Sequence, residues 1–221
     1  MTKRALKICA GVIRKTFLTR KYYLKSNKGK KIILDIGGNS STLQNGTIAG
    51  LPHPIWKDSI ILSVNIDYRV CPIIVDNAVT LGRLSDEIAD GLYSSHTIEH
   101  ISQSESKKMF KNWYRVLKYG GRIEIRCPDI EWTWKEYFKG NMPEEIITEL
   151  MLGISSGQYQ YHRNMYWESK LIGELNEAGF IKIKRIDYNY TIPHLDYWLY
   201  DGKYTQYHGR MIKDLLIEAY K

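Results

Sequence analysis

The chain has 221 residues, of which 43% are hydrophobic and 25% are charged, a composition typical of one globular domain. No run of about 18 apolar residues is present, and the basic N-terminus lacks the apolar core of a secretory signal, so the sequence predicts neither a membrane span nor export. The three cysteines, Cys9, Cys71 and Cys127, are far apart, which favours reduced thiols in the cytoplasm over a disulfide framework or a zinc site.

The formal net charge of +8 is concentrated near the N-terminus. Residues 1–31 contain eleven lysines and arginines and no acid, whereas acids outnumber bases in the rest of the chain. Apolar residues recur in this part at the spacing of one helix face: Leu6, Ile13, Phe17 and Leu24. We therefore divide the chain into a basic helical segment, residues 1–29, and one domain, residues 30–221.

The basic segment has two interpretations. It is a surface helix packed on the domain with a solvated basic face, or it binds an anionic partner. Among such partners, membrane headgroups rank above nucleic acid, because the segment does not interleave aromatic and basic residues as RNA-recognition motifs do. The protein is therefore expected in the cytoplasm, and contact with a membrane surface stays open.

The following part of the chain alternates strand and helix patterns. Short runs with β-branched residues predict strands at 31–37, 59–67, 72–78 and 122–129, and the weaker pattern of DGLYSSH predicts a strand at 90–96. A helix is predicted over 104–117, because its apolar residues share one face: Met109, Phe110, Trp113, Val116 and Leu117. Gly120 or Gly121 is expected to cap this helix. Segment 180–188 alternates as a further strand, and segment 210–221 is compatible with helix or strand. This alternation predicts a mainly parallel sheet with helices on its faces.

Polar and glycine residues collect where these strands end. In a parallel sheet the carboxyl ends of the strands share one edge, and ligands bind beyond that edge. The residues predicted to lie there are Asp35, Gly37, Asp67, Asp76, Ser94, Ser95, His96 and Asp129. Packing alone does not explain eight such residues at one edge, so the sequence predicts a ligand site there.

Five segments carry a resemblance to a known family. They read LDIGGN, VNID, VDNA, YSSHTIEHI and NWYRVLKYGGRIEIRCPDI. Together they resemble class I S-adenosylmethionine-dependent methyltransferases, in particular those of glycan and cell-surface polysaccharide biosynthesis. The likeness continues through GQYQYHRNMYWESKLIGELNEAGF, whereas the turn GGNSS departs from the G-x-G of most relatives.

The resemblance implies a Rossmann-like fold, with a mainly parallel seven-stranded sheet, an antiparallel last strand and helices on both faces. It therefore assigns segment 210–221 as the last strand, inserted beside the sheet edge. Residues 39–58 are rich in turn residues and are expected to form a loop over the cofactor pocket.

The resemblance also implies S-adenosylmethionine as the cofactor. This molecule has no pyrophosphate, so the full dinucleotide glycine pattern is unnecessary. Gly37 and Gly38 would let the backbone approach the ligand. Asp35 would receive the ligand amine, and Asp67 would accept the ribose hydroxyls. The full set assigned to the cofactor is Asp35, Gly37, Gly38, Asn39, Asp67, Tyr68, Asp76, Asn77, Ser94, Ser95 and His96, with Asp76 and Asn77 as the implied adenine contacts. For Asp35 and Asp76 the alternative is capping of a turn or helix N-terminus.

Methyl transfer requires an acceptor atom aligned with the sulfonium methyl group, and a hydroxyl acceptor benefits from a base that takes its proton. The candidate catalytic bases are His162, His96 and Asp129, in that order. For His96 the alternative role is a cofactor contact. For His162 it is packing against Tyr166 or Trp167.

His96, Glu99 and His100 have the i, i+3, i+4 spacing of one helix face and could bind a divalent metal ion. In the resembling family a similar glutamate–histidine pair also occurs without a metal, where it caps the helix and packs on the glycine turn. S-adenosylmethionine is therefore the expected cofactor, and a divalent metal stays an open alternative.

Aromatic residues are frequent in the C-terminal part, including four tryptophans: Trp132, Trp134, Trp167 and Trp198. Sugar rings stack on such side chains, although core packing explains many of them equally well. Together with the resemblance, they predict an O-methyltransferase that acts on a sugar hydroxyl of a glycan or a glycan precursor. The alternatives are an RNA, protein or small-molecule acceptor, and a binding module without catalytic activity.

Overall fold

The computed structural model describes residues 29–38, 59–70, 72–153, 161–186 and 214–221. The predicted basic helix, apart from Gly29, lies outside these residues, as do Asn39, the predicted loop 39–58 and Trp198. In the part of the chain that is described, no helix is both long enough and apolar enough to cross a membrane.

Seven strands form one sheet. They are β1 (Ile32–Ile36), β2 (Ile60–Asn65), β3 (Ile74–Val75), β4 (Ala89–Ser95), β5 (Leu117–Pro128), β6 (Ile181–Arg185) and β7 (Asp214–Tyr220). Their order across the sheet is β3-β2-β1-β4-β5-β7-β6, and every strand except β7 runs in the same direction. This is the predicted Rossmann-like sheet with an antiparallel last strand, so the fold prediction is confirmed.

The position of β7 explains why the ambiguous C-terminal segment is a strand. It pairs with β5 on one side, where Ile217 lies opposite Ile125, and with β6 on the other. Its Glu218 is buried and forms ion pairs with Arg122 of β5 at 2.6 Å and with Lys184 of β6 at 2.9 Å. Only an extended backbone satisfies the hydrogen-bonding groups of both neighbours at once, so tertiary pairing selects the strand.

Within the described residues, four α-helices accompany the sheet: α1 (Gln103–Val116), α2 (Ile130–Phe138), α3 (Glu144–Leu152) and α4 (Glu168–Ala178). The predicted apolar face of α1 is fully buried: Met109, Phe110, Trp113 and Val116. The Nε1 group of Trp113 donates to the carbonyl of Ala78 at 2.8 Å, so the indole is buried with its polar group satisfied. Each buried side chain of this size stabilises the fold by about 1.5 to 3 kcal/mol.

The predicted glycine cap of α1 is wrong. The helix ends at Val116, and Leu117 is already extended and opens β5, opposite Ala89 of β4. The glycines lie within this strand, where Gly120 N donates to the carbonyl of the C-terminal Lys221 and Lys221 N donates to Gly121, both at 3.0 Å. Because Leu117 pairs with Ala89 and the glycines pair with Lys221, β5 begins at Leu117, five residues before the predicted start at residue 122.

Helices α2 and α3 were not predicted from the sequence. Their apolar residues pack into a small separate cluster that includes Met142, Ile146 and Ile147, not into the main core of the sheet. Helix α4 ends at Ala178, and Gly179 caps it in the left-handed conformation with φ +105°. A Cβ at Gly179 would lie 3.2 Å from the ring of Tyr114, so packing against α1 also favours glycine here.

Candidate active site

The glycine turn follows β1 and lies against the end of β2. Gly37 N donates to the carbonyl of Val64 at 2.8 Å. The Nδ2 group of Asn65 donates to the carbonyls of Gly37 and Gly38, at 2.8 and 3.3 Å. Asn65 therefore fixes the turn to the neighbouring strand, a role that sequence reasoning did not assign to it.

Both glycines of the turn are required by contacts within the protein. Gly37 has φ +87°, and a Cβ there would lie 2.1 Å from Oγ1 of Thr97. A Cβ at Gly38 would lie 2.0 Å from Oδ2 of Asp35. Thr97 is itself anchored, because its hydroxyl donates to the carbonyl of Ile36 at 3.1 Å. The turn is thus packed between Asp35 and Thr97, a reason for glycine that the sequence alone did not reveal.

Three more predicted residues lie on adjacent strands near this turn. Asp35 of β1 is buried, opposite Ser63 of β2 and Tyr93 of β4. Ser94 and Ser95 end β4, and the buried Oγ of Ser94 has no hydrogen-bond partner within the described residues. The structure therefore brings Asp35, Ser94 and Ser95 together at the sheet edge, as predicted.

Asp67 follows β2 at the same edge, where Arg69 holds its carboxylate. The Nε group of Arg69 donates to Oδ1 at 2.8 Å, and its Nη2 group donates to Oδ2 at 2.6 Å. The hydrogen bonds from Arg69 lower the pKa of Asp67 despite the opposing effect of burial, so Asp67 is ionised at neutral pH. Tyr68, between the two residues, is exposed.

Asp76 and Asn77 follow β3, and their side chains organise the turn there. The carboxylate of Asp76 accepts from the backbone N–H of Asn77 at 2.8 Å and of Arg83 at 2.7 Å. The Oδ1 atom of Asn77 accepts from the N–H of Val79 at 2.7 Å. These bonds match the capping alternative for Asp76, while the exposed Asn77 stays open to a ligand.

His96 follows β4 with φ +49°, a conformation that is uncommon for a residue with a side chain. Its Nε2 lies 3.1 Å from Oδ2 of Asp214, and its Nδ1 lies 3.3 Å from Oε1 of Glu99. Asp214 also pairs with Nε of Arg126 at 2.5 Å. Sequence reasoning missed Asp214 and Arg126, which reach this site from β7 and β5.

The two carboxylates control the charge of His96. Burial acts to lower the pKa of His96, but Asp214 and Glu99 outweigh it and raise this pKa well above the ordinary 6.5. The imidazole is therefore protonated at neutral pH, with both ring nitrogens directed to carboxylates.

Asp129 is buried at the end of β5 and begins α2. Its Oδ1 accepts from the N–H of Trp132 at 3.0 Å, as the N-cap of the helix. Its Oδ2 pairs with Nη2 of Arg185 on β6 at 2.8 Å. Both carboxylate oxygens of this candidate base are thus engaged by the protein.

A second cluster lies just beyond His96 and contains Glu99, His100 and His162. The Nδ1 atom of His100 lies 3.1 Å from the carbonyl oxygen of Tyr161, and Nδ1 of His162 lies 2.8 Å from that of Leu150. The two imidazole rings meet edge to face, with centroids 4.9 Å apart. Burial lowers the pKa of His162, and the neighbouring His100 lowers it further, although Glu99 opposes both.

The predicted metal set does not form as the spacing suggested. Residues 98–100 form a single 3₁₀ turn, and His96 stands outside it in a left-handed conformation, so the three side chains do not share an α-helical face. Glu99 and His100 instead come together with His162, which is 62 positions beyond His100 in the sequence. Only the fold could reveal this juxtaposition.

Some of the aromatic side chains are packed within the protein, and others are exposed to solvent. Trp132, Trp134 and Tyr137 pack partly against the cluster between α2 and α3. Phe138 stacks on Trp134 with ring centroids 5.6 Å apart and is 78% exposed. Trp167 is also exposed, and Nζ of Lys170 lies 5.2 Å from the centroid of its ring. Core packing therefore explains some of these residues, and others remain available to a ligand.

Comparisons with known proteins agree with this architecture. Residues 61–125 match the protein family described as a methyltransferase domain. A SAM-dependent methyltransferase from Methanosarcina mazei is 18% identical with a TM-score of 0.57, over 88% of this chain and 93% of its own. One from Thermotoga maritima is 19% identical with a TM-score of 0.53, over 99% and 95%. One from Archaeoglobus fulgidus is 18% identical with a TM-score of 0.51, over 95% and 93%. No curated protein matches the chain significantly.

At these identities the solved structures establish the fold, and the family match adds an independent sequence signal for the segment from β2 to β5. That match supports S-adenosylmethionine as the cofactor. The chain therefore has the fold of S-adenosylmethionine-dependent methyltransferases, and its residues 61–125 carry the sequence pattern of a methyltransferase domain.

Proposed function

We propose that this chain is an S-adenosylmethionine-dependent O-methyltransferase that acts on a sugar hydroxyl of a glycan or a glycan precursor. The observation that carries this proposal is the presence of two polar sites around the end of β4. One consists of the glycine turn with Asp35 and Asp67, and the other consists of Glu99, His100 and His162. The first suits the cofactor and the second suits an acceptor that must lose a proton.

S-adenosylmethionine supplies, when bound, a methyl group on a positively charged sulfur. Asp35 beside the turn would receive its amine, and Asp67 would receive its ribose hydroxyls. The side chain of Arg69, which pairs with Asp67, is 65% exposed. An ion pair at such an exposed position contributes little to stability, so a diol can replace Arg69 at a small energetic cost.

We assign activation of the acceptor hydroxyl to His162. The carbonyl of Leu150 accepts from its Nδ1, so Nε2 keeps the lone pair that can take the proton of the acceptor. The competing candidates are less suitable, because both nitrogens of His96 face carboxylates and both oxygens of Asp129 are engaged. The half-buried position of His162 also lets it contact a ligand while its orientation is fixed.

The exposed aromatic side chains support a sugar as the acceptor. Phe138 and Trp167 are exposed, and neutral sugars stack their C–H groups on the faces of such aromatic rings. The resemblance to glycan-modifying methyltransferases points in the same direction.

Turnover on defined acceptors tests this function. The full-length protein, supplied with S-adenosylmethionine carrying a labelled methyl group, is expected to label a rhamnose- or mannose-containing oligosaccharide at a hydroxyl oxygen. Mass spectrometry of the product locates the methyl group. Labelling of RNA instead, with binding that weakens steeply as salt increases, would contradict the sugar assignment.

Replacing Asp67 with alanine is expected to weaken binding of S-adenosylmethionine by about 1.5 to 3 kcal/mol, because hydrogen bonds from the ribose to a charged group are lost. Calorimetry measures this change directly. Arg69→Ala is the matched control, since it frees the carboxylate of Asp67 and should leave affinity unchanged or slightly higher. Equal affinity in Asp67→Ala and the unmodified protein would remove Asp67 from the cofactor site.

A further inference from the structure

We infer that Glu99, His100 and His162 form a binding site for a divalent transition-metal ion. Each of the three side chains offers one ligand atom, and these atoms all lie within 4.8 Å of one another. The residues come from two distant parts of the chain, the turn after β4 and the segment before α4, so local sequence spacing does not account for their meeting.

The two histidines are oriented as metal ligands usually are. Nδ1 of His100 faces the carbonyl of Tyr161, and Nδ1 of His162 faces the carbonyl of Leu150. A carbonyl oxygen can only accept a hydrogen bond, so each Nδ1 carries the proton and each Nε2 keeps its lone pair. A backbone carbonyl that fixes the tautomer and orientation of the ring is the common second partner of metal-binding histidines.

The carboxylate of Glu99 provides an independent reason to expect a cation. Glu99 is 2% exposed, and the Oε2 atom of its carboxylate has no hydrogen-bond partner within the described residues. His96 approaches Oε1 at 3.3 Å, which leaves Oε2 directed at no donor in that part of the chain. A buried carboxylate oxygen without a partner is costly, and a bound cation would remove this cost.

Backbone hydrogen bonds fix the segments that carry the cluster, so the backbone of the site is arranged without a bound ion. The N–H groups of Arg163 and Asn164 both donate to the carbonyl of Glu99, at 2.7 and 3.0 Å. The N–H of His162 donates to the carbonyl of Leu152 at 2.9 Å. These bonds attach the segment that carries His162 to the turn that carries Glu99 and to the end of α3.

The ligand set determines the class of ion. Two imidazoles with one carboxylate suit Zn²⁺, Mn²⁺, Fe²⁺ or Co²⁺ better than Mg²⁺, which prefers oxygen ligands. Metal–ligand bonds of about 2.0 to 2.2 Å would hold neighbouring ligand atoms about 3.3 to 3.6 Å apart in a tetrahedral site, so the side chains must close inward on binding. Three protein ligands leave at least one position for water or an acceptor oxygen.

The role of such an ion rests on the proposed function. An ion at this cluster would lie at the acceptor side of the site, where a coordinated hydroxyl loses its proton more readily. His162 would then activate the acceptor as a metal ligand rather than as a free base.

Binding of Zn²⁺ alone tests the site. The full-length protein is stripped with a chelator, dialysed and titrated with Zn²⁺ by calorimetry, and one ion per chain is expected. His100→Ala, His162→Ala and Glu99→Gln are each expected to weaken binding by about tenfold or more. Glu145→Gln, which changes an exposed carboxylate on α3, is the matched control and should bind Zn²⁺ as the unmodified protein does. Co²⁺ should give visible absorption bands in the unmodified protein that are lost in His100→Ala.

Two outcomes would overturn the inference: no stoichiometric Zn²⁺ binding by the unmodified protein, or unchanged binding by the double variant His100→Ala, His162→Ala. Binding of S-adenosylmethionine, measured on the same samples, shows that each variant is folded. It also separates the two proposals, because cofactor binding without Zn²⁺ binding refutes only the metal site. Binding of Zn²⁺ without cofactor binding supports the metal site and refutes only the proposed function.

Discussion

Replacing His162 with alanine is expected to lower kcat by about 100-fold or more, because the acceptor hydroxyl loses the group that activates it. Affinity for S-adenosylmethionine should hardly change, since His162 lies before α4 and the residues assigned to the cofactor lie at the ends of β1 to β4. Steady-state kinetics with the sugar acceptor and calorimetry with the cofactor measure the two effects separately.

The contrast with His96 makes this prediction specific. His96 adjoins the end of β4 and pairs with Asp214 and Glu99, so His96→Ala should reduce both cofactor binding and turnover. Normal turnover by His162→Ala, together with an inactive Asp129→Asn, would show that the roles are misassigned. The segment carrying His162 would then only cover the acceptor.

Replacing Asp214 with alanine is expected to lower the free energy of unfolding by about 3 to 5 kcal/mol, because one partner of a buried ion pair is removed. Asp214 lies 2.5 Å from Nε of Arg126 and 3.1 Å from Nε2 of His96, and both it and Arg126 are largely buried. The substitution leaves two positive groups without their shared carboxylate. Urea denaturation, followed by circular dichroism, measures the loss.

Asp86→Ala is the matched control for this substitution. Asp86 also pairs with an arginine, Arg115, at 2.6 Å, but its side chain is 72% exposed. Solvent screens such a pair, so its loss should cost less than about 1 kcal/mol. Equal destabilisation by Asp86→Ala and Asp214→Ala would show that burial of the Arg126 pair is not what stabilises this edge of the sheet.

The sequence by itself determined the elements whose signal is local. The β-branched runs predict β1 and β2, because a strand buried on both faces needs a short continuous apolar run. The weaker pattern at 90–96 predicts β4. The spacing of Met109, Phe110 and Trp113 predicts α1, because one helix face must enter the core. The sheet edge follows from these elements, since parallel strands place all their carboxyl ends together.

Tertiary structure decided the features that depend on distant partners. Segment 210–221 fits either a helix or a strand, and pairing with β5 and β6 made most of it β7. The glycine cap failed for the same reason, because Gly120 pairs with the C-terminal Lys221. Helices α2 and α3 escaped prediction because their apolar residues pack in a small cluster of their own.

The candidate site also combines positions that the sequence predicts with contacts that only the tertiary structure shows. The sequence placed Asp35, Asp67 and His96 at strand ends, where the structure finds them. It could not show that Asp214, more than a hundred residues beyond His96, pairs with that ring, or that Arg185 engages Asp129. The availability of a side chain for chemistry depends on which distant groups already bind it, and only the folded chain determines those contacts.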